Sequence, residues 1–125
     1  MANPQIEHGH IRIASGKPLN DLYTVLIFLV IAKPTWGAIA MYVLRITYGW
    51  SSRERETNFQ SFATVLGLTK QTIKENMAEM ESVGVLKVRI MPMSQERFVV
   101  SLCKNYELWK IEGPFKGLLK RFIGV

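Results

Sequence analysis

Lys70, Gln71, Thr72 and Lys74, with Thr69 just before them, bring two ammonium groups, one carboxamide and two hydroxyls together on one short polar stretch. Their chemistry is hydrogen bonding to base edges. A glutamine carboxamide pairs bidentately with adenine, and a lysine reaches guanine or phosphate. Glu75 could accept from a cytosine amino group. Glu79 and Glu81 would repel phosphate if they faced it, but they come late in the same stretch. Lys87, Arg89 and Arg97 are cations of the kind that hold a phosphate backbone, adding affinity without sequence information. Arg53 or Arg55 could add a phosphate contact, although the run Arg53-Glu54-Arg55-Glu56 cancels its own charge and reads as a solvated loop over Ser51 to Thr57. Nothing comparable points to catalysis. His8 and His10 stand at i and i+2, whereas a metal site normally takes three or four protein ligands, and Cys103 does not complete a set. There is no glycine-rich phosphate loop, and the carboxylates mostly follow solvated helical faces. No enzyme activity, catalytic residue, metal or other cofactor is expected.

The elements that must position these groups run from Asn58 to Gly84. Phe59, Phe62, Ala63 and Leu66 repeat at helical spacing. Gly67 follows where a left-handed helix end favours a residue without a β-carbon. Leu68 plugs the turn, and Thr69 is an N-cap for the next helix. The capping box is incomplete, because Thr72 occupies the place of Glu or Gln. Ile73, Met77, Met80 and Val83 form the buried stripe of the second helix, and Gly84 ends it. Lys70, Gln71, Lys74 and Glu75 are read on the opposite face, in the first two turns, where a recognition helix meets base edges. After Gly84 the period changes from helix to strand. Leu86, Val88 and Ile90 alternate with Lys87 and Arg89; Met91 to Glu96 is a turn; Phe98, Val100 and Leu102 alternate again. A hairpin placed directly after a helix-turn-helix is a wing, here residues 85–103. The bland alternative is an ordinary helical hairpin with a solvated polar face.

Upstream, Leu19 to Ala32 is the most apolar segment, capped by Asn20 or Asp21 and ended by Lys33-Pro34, since the residue before proline avoids helix. Residues 22–32 give eleven apolar positions, short of the ~20 needed to span a bilayer. No membrane span is expected. A helix apolar on nearly all sides is buried, or packs against a second subunit. A helix from Thr35, its cap, to about Tyr48 follows, with Gly49 and Trp50 closing it. Ile11-Arg12-Ile13 reads as a short strand. In the tail, 105–125, Tyr106, Leu108, Trp109 and Ile111 read as one helical piece. Beyond Gly113-Pro114, Phe115, Leu118, Leu119, Phe122 and Ile123 form the stripe of a basic amphipathic helix that docks on its own core, dimerises or lies on a membrane surface.

The 125 residues form a single domain, 48% hydrophobic and 21% charged, which is globular. The net charge is +6 and uneven. Residues 1–83 carry eight Lys/Arg against seven Asp/Glu, and residues 84–125 carry eight against three. A basic lobe beside a recognition helix points to a polyanionic partner. A single cysteine excludes an intrachain disulfide, and Met1 to Ser15 holds no apolar signal core, which fits a reducing, cytoplasmic compartment.

Gly9, Ile11-Arg12-Ile13, Arg45-Ile46-Thr47-Tyr48-Gly49-Trp50, the Phe62 to Leu68 turn and Thr69 to Leu86 resemble the N-terminal, origin-binding domain of the phage replication protein O family. The resemblance covers roughly residues 8–90 and departs at Ile46, where the family favours lysine. It implies a winged helix that binds repeated origin sites as a dimer. The expected fold is thus mainly α with a small β-hairpin: a winged helix-turn-helix with extra N-terminal and C-terminal helices. The expected function is DNA binding of phage or mobile-element type, in replication or transcription regulation. The expected partners are double-stranded DNA and a second copy of the chain, with no small-molecule substrate. The alternative is a protein-interaction module on the same scaffold, a phage adaptor or inhibitor that binds no DNA.

Overall fold

The computed structural model describes residues 6–7, 10–11, 19–48, 53–94 and 96–123. Two short strands, β1 (Ile6–Glu7) and β2 (His10–Ile11), pair antiparallel. His8, Gly9, Arg12, Ile13, Gly49, Trp50 and the side chain of His10 lie outside the described residues. Helix α1 (Leu19–Ala32) and helix α2 (Pro34–Thr47) are separated by Lys33 alone. Proline has a fixed φ and no N–H, so Pro34 stops α1 and starts α2 in its first turn. The expected caps are corrected accordingly. Lys33 is the N-cap of α2, without a side-chain bond, so Thr35 lies inside the helix. Asn20 and Asp21 lie within the first turn of α1, which begins at Leu19.

So short a corner forces the two backbones together. A β-carbon added at Gly37 would lie 2.7 Å from the Val30 Cα and 2.8 Å from its nitrogen. Backbone cannot rotate aside, so Gly37→Val is expected to cost about 2–3 kcal/mol through overpacking. A thermal melt would show this as a midpoint several degrees lower; an unchanged midpoint would mean that the corner opens freely.

Strand β3 (Arg55–Asn58) then leads directly into helix α3 (Phe59–Leu66). Asn58 caps α3, its Oδ1 accepting from Ser61 N at 2.8 Å. Gly67 has φ +68, the left-handed end that the sequence required, and Leu68 is half-buried in the turn. Thr69 caps helix α4 (Lys70–Ser82) by accepting from Thr72 N at 3.1 Å. Beyond it Gly84 has φ +88. Strands β4 (Leu86–Ile90) and β5 (Arg97–Leu102) form the hairpin, and the sheet order is β3-β5-β4, all antiparallel.

The segment read as a solvated loop therefore ends in a strand. Arg55 pairs with Val100 and Asn58 with Arg97. Its sequence, Arg-Glu-Thr-Asn, has no apolar alternation to announce it. Strand β5 supplies both the hydrogen-bonding edge and the core face, through buried Phe98, Val100 and Leu102. A second correction concerns β4. Leu86 is buried, but Ile90 is 50% exposed, because the outer end of this edge strand runs past the core.

One hydrophobic cluster joins Leu22, Leu26 and Leu29 of α1, Ile39 and Val43 of α2, Phe62 of α3, Ile73, Met77 and Met80 of α4, and the inner face of the sheet. The tail closes it. The expected helix over Tyr106 to Ile111 is only a 3-10 turn, Tyr106–Leu108, after which Trp109 is extended. Trp109 Nε1 donates to the Cys103 carbonyl at 2.8 Å, and Lys110 N donates to the Val83 carbonyl at 2.8 Å. Helix α5 (Pro114–Phe122) docks on the chain's own core through Phe115 and Leu119, and Phe122 meets Phe28 of α1 edge to face at 5.7 Å. The architecture is a winged helix-turn-helix with a small three-stranded sheet and extra helices α1 and α5.

Candidate nucleic-acid interface

Helix α4 buries Ile73, Met77 and Met80, as its apolar spacing predicts. Its outward ridge is Gln71, Glu75, Ala78 and Ser82, all exposed. Lys70 and Lys74 are also exposed, but they lie on the flank that faces the wing rather than opposite the buried stripe. The reason is on the wing. Glu96 stands just before β5, with its carboxylate 3.2 Å from Lys70 Nζ and 3.7 Å from Lys74 Nζ. Lys74 also lies 5.2 Å from the Phe59 ring centroid, a cation–π distance. Thr69 is engaged as the cap, and its hydroxyl meets that of Thr72 at 2.9 Å. Gln71 donates through Nε2 to Glu75 Oε2 at 2.7 Å, which holds both side chains along the ridge.

The wing cations show the same habit. Arg97 Nε donates to Glu56 Oε2 at 2.7 Å, across the β3–β5 pair. Arg89 Nη2 lies 3.9 Å from Glu54 Oε1. Lys87 is exposed and makes no ion pair among the described residues. Arg55, in the run read as a solvated loop with a phosphate contact as the lesser alternative, donates through Nη1 to the Ile46 carbonyl at 3.4 Å. Glu81 does not project toward a ligand as a free charge; its Oε2 accepts from Val88 N at 3.3 Å and ties the end of α4 to β4.

The orientation of α4 depends on residues that spacing did not single out. Asn76 accepts from Trp36 Nε1 at 3.1 Å and donates to the Thr72 carbonyl at 2.8 Å, fixing α4 against α2. Glu54, Glu56 and Glu96 were equally invisible as partners. Only the unapparent strand β3 and the closing of the hairpin bring them beside the cations.

Thr69, Lys70, Gln71, Thr72 and Lys74 thus gather at one end of α4, and Lys87, Arg89 and Arg97 lie on the adjoining wing. Chemically, the ridge offers amide, hydroxyl and carboxylate groups at base-edge reach, flanked by ammonium and guanidinium groups. Among the described residues no three His, Cys, Asp or Glu side chains group to hold a metal, and no helix is long and apolar enough to cross a membrane. Compared with protein-family models, curated proteins and solved structures, the chain matches none. The functional reading therefore rests on this geometry.

Proposed function

We propose that the protein binds double-stranded DNA, with α4 entering the major groove and the wing lying on the phosphate backbone. The observation that carries the reading is the capped, outward-facing start of α4 set beside a wing bearing Lys87, Arg89 and Arg97. Gln71 and Thr72 approach base edges; Lys70 and Lys74 approach guanine or phosphate; the wing cations hold phosphates. The resemblance to phage replication protein O domains favours an origin-binding or regulatory role in a bacterial cytoplasm.

The test is binding to random duplex and to fragments from the protein's own genetic neighbourhood across a salt series. With about four to six phosphates neutralised per subunit, the affinity for a preferred fragment should fall with salt at a log–log slope of roughly −4 to −5. At least tenfold preference for one local fragment would mark a sequence-specific binder. No binding at low salt would reject the proposal.

The dimer belongs to the same reading. Tyr23, Ile27, Val30 and Ile31 form one stripe along α1 and are between 38% and 63% exposed. They leave roughly 400 Å² of contiguous apolar surface, within the range of the largest patch on a monomer, which is often functional. No charge occurs from Leu22 to Ala32. A two-fold contact sets like residues near one another, so an uncharged face suits a second copy of the chain. Two such stripes, with the flanking ends of α5, approach the ~1,000 Å² of a specific interface. The wild type is expected to sediment at twice 14.3 kDa, and an Ile27→Glu, Ile31→Glu variant as a monomer. A wild-type monomer at high concentration would refute the interface.

A second reading, a protein-interaction module without DNA binding, is favoured by one observation. Lys70, Lys74, Arg89 and Arg97 all face a carboxylate of the same chain. The salt series separates the two.

A further inference from the structure

We propose that Glu96, with Glu56 and Glu54, is an internal substitute for DNA phosphate that keeps the protein off random sequence. The inference rests on the DNA-binding reading. Four contacts from these three carboxylates carry it. Glu96 bridges Lys70 and Lys74, joining α4 to the wing. Glu56 bonds Arg97 across the sheet, and Glu54 faces Arg89 from the segment before β3. Of the five cations assigned to DNA, four face a carboxylate, and Lys87 has none beside it among the described residues.

A carboxylate and a phosphodiester oxygen take the same place on a lysine or guanidinium group. A cation already facing a carboxylate has less to gain from phosphate, because one anion is exchanged for another and fewer counterions are released. Binding to random duplex is almost wholly this phosphate term. Hydrogen bonds from Gln71 and Thr72 to base edges are unaffected by the exchange. The carboxylates therefore tax both kinds of complex equally, but only a complex with base contacts has a second source of affinity. An equal penalty leaves the ratio of the two affinities unchanged, but it leaves random duplex unoccupied at concentrations where a site with base contacts is still filled.

These pairs are poor candidates for a purely structural role. Their side chains are 42% to 64% exposed, and exposed pairs contribute little to folding. Removing the carboxylates should leave the fold intact, so the binding readout is clean.

The experiment compares wild type with Glu56→Gln, Glu96→Gln and with a control, Glu107→Gln, Glu112→Gln, that makes the same change in net charge on the tail, away from the wing. Each is titrated against a fluorescent random-sequence duplex across a salt series, with thermal melts as a folding check. The wing variant is expected to bind at least about tenfold tighter at low salt, with a salt slope steeper by about two to three as Lys70, Lys74 and Arg97 become available to phosphate. The control is expected to keep the wild-type slope. Equal affinity and slope in wild type and wing variant, or an equal gain in the control, would overturn the proposal while leaving DNA binding in place. If neither wild type nor wing variant binds any duplex at low salt, the DNA reading fails and this inference with it. Binding by the wing variant alone would support the substitution most directly.

Discussion

A Lys70→Glu, Lys74→Glu variant is expected to bind duplex DNA at least about 100-fold more weakly than wild type at moderate salt. Two cations at the groove-facing end of α4 are lost, and two anions are placed where phosphate should approach. The existing contact with Glu96 sharpens the effect, since three carboxylates would then crowd the junction of helix and wing. Mutual repulsion there would push the wing away from α4. A milder Lys70→Ala, Lys74→Ala variant should lose affinity but not the wing geometry. Anisotropy titrations with both variants, alongside circular dichroism, separate the lost contacts from a disturbed fold. Unchanged affinity in the double glutamate variant would leave no role for α4 in DNA binding and would favour the protein-partner reading.

The second large effect is on stability. Phe62→Ala is expected to lower the free energy of unfolding by about 3–5 kcal/mol, the usual cost of a large cavity at a buried phenylalanine. Phe62 is fully buried. It meets Tyr42 of α2 edge to face at 4.7 Å and Phe98 of β5 at 5.6 Å, so one ring joins the helical pair, the helix-turn-helix and the sheet. Against the 5–15 kcal/mol typical of a domain, such a loss brings the chain close to unfolding. Urea titration followed by tryptophan fluorescence would read it as a lower midpoint with a similar slope. A midpoint within error of wild type would mean that the cavity closes by repacking.

The helix-turn-helix was legible because its signals are local. Gly67, Thr69 and the Ile73, Met77, Met80 spacing each act within one or two turns, and each residue adopts the role that its type predicts. The wing was legible from alternation. Strand β3 was not, since Arg55, Glu56, Thr57 and Asn58 take their conformation from β5, some forty positions away. Separation along the chain, 26 positions from Lys70 to Glu96, likewise hid the facing of Lys70 and Lys74 toward the wing. Helical spacing places a residue around its own axis, but the neighbouring element decides what it meets. Glu96 looked like one more solvated charge in a turn for that reason. The tail was half legible: the Phe115, Leu119, Phe122 stripe declares a helix, but only the fold names α1 as its seat. The 3-10 turn at Tyr106 escaped because Trp109 and Ile111 are buried by an extended strap, not by a helical face.

The pairing of β3 with β5 also sets an order of events. Everything from Phe59 to Glu96 lies inside the loop that this pairing closes. Closing a long loop costs chain entropy before its contacts return anything. Helices α3 and α4, held by neighbours along the chain, can form while that loop is still open. The wing can zip onto itself through its short turn. The ladder between Arg55 and Val100 is the long-range pairing of this sheet, and it is what brings Glu54 and Glu56 beside Arg89 and Arg97. The wing cations thus owe their carboxylate partners to the finished sheet.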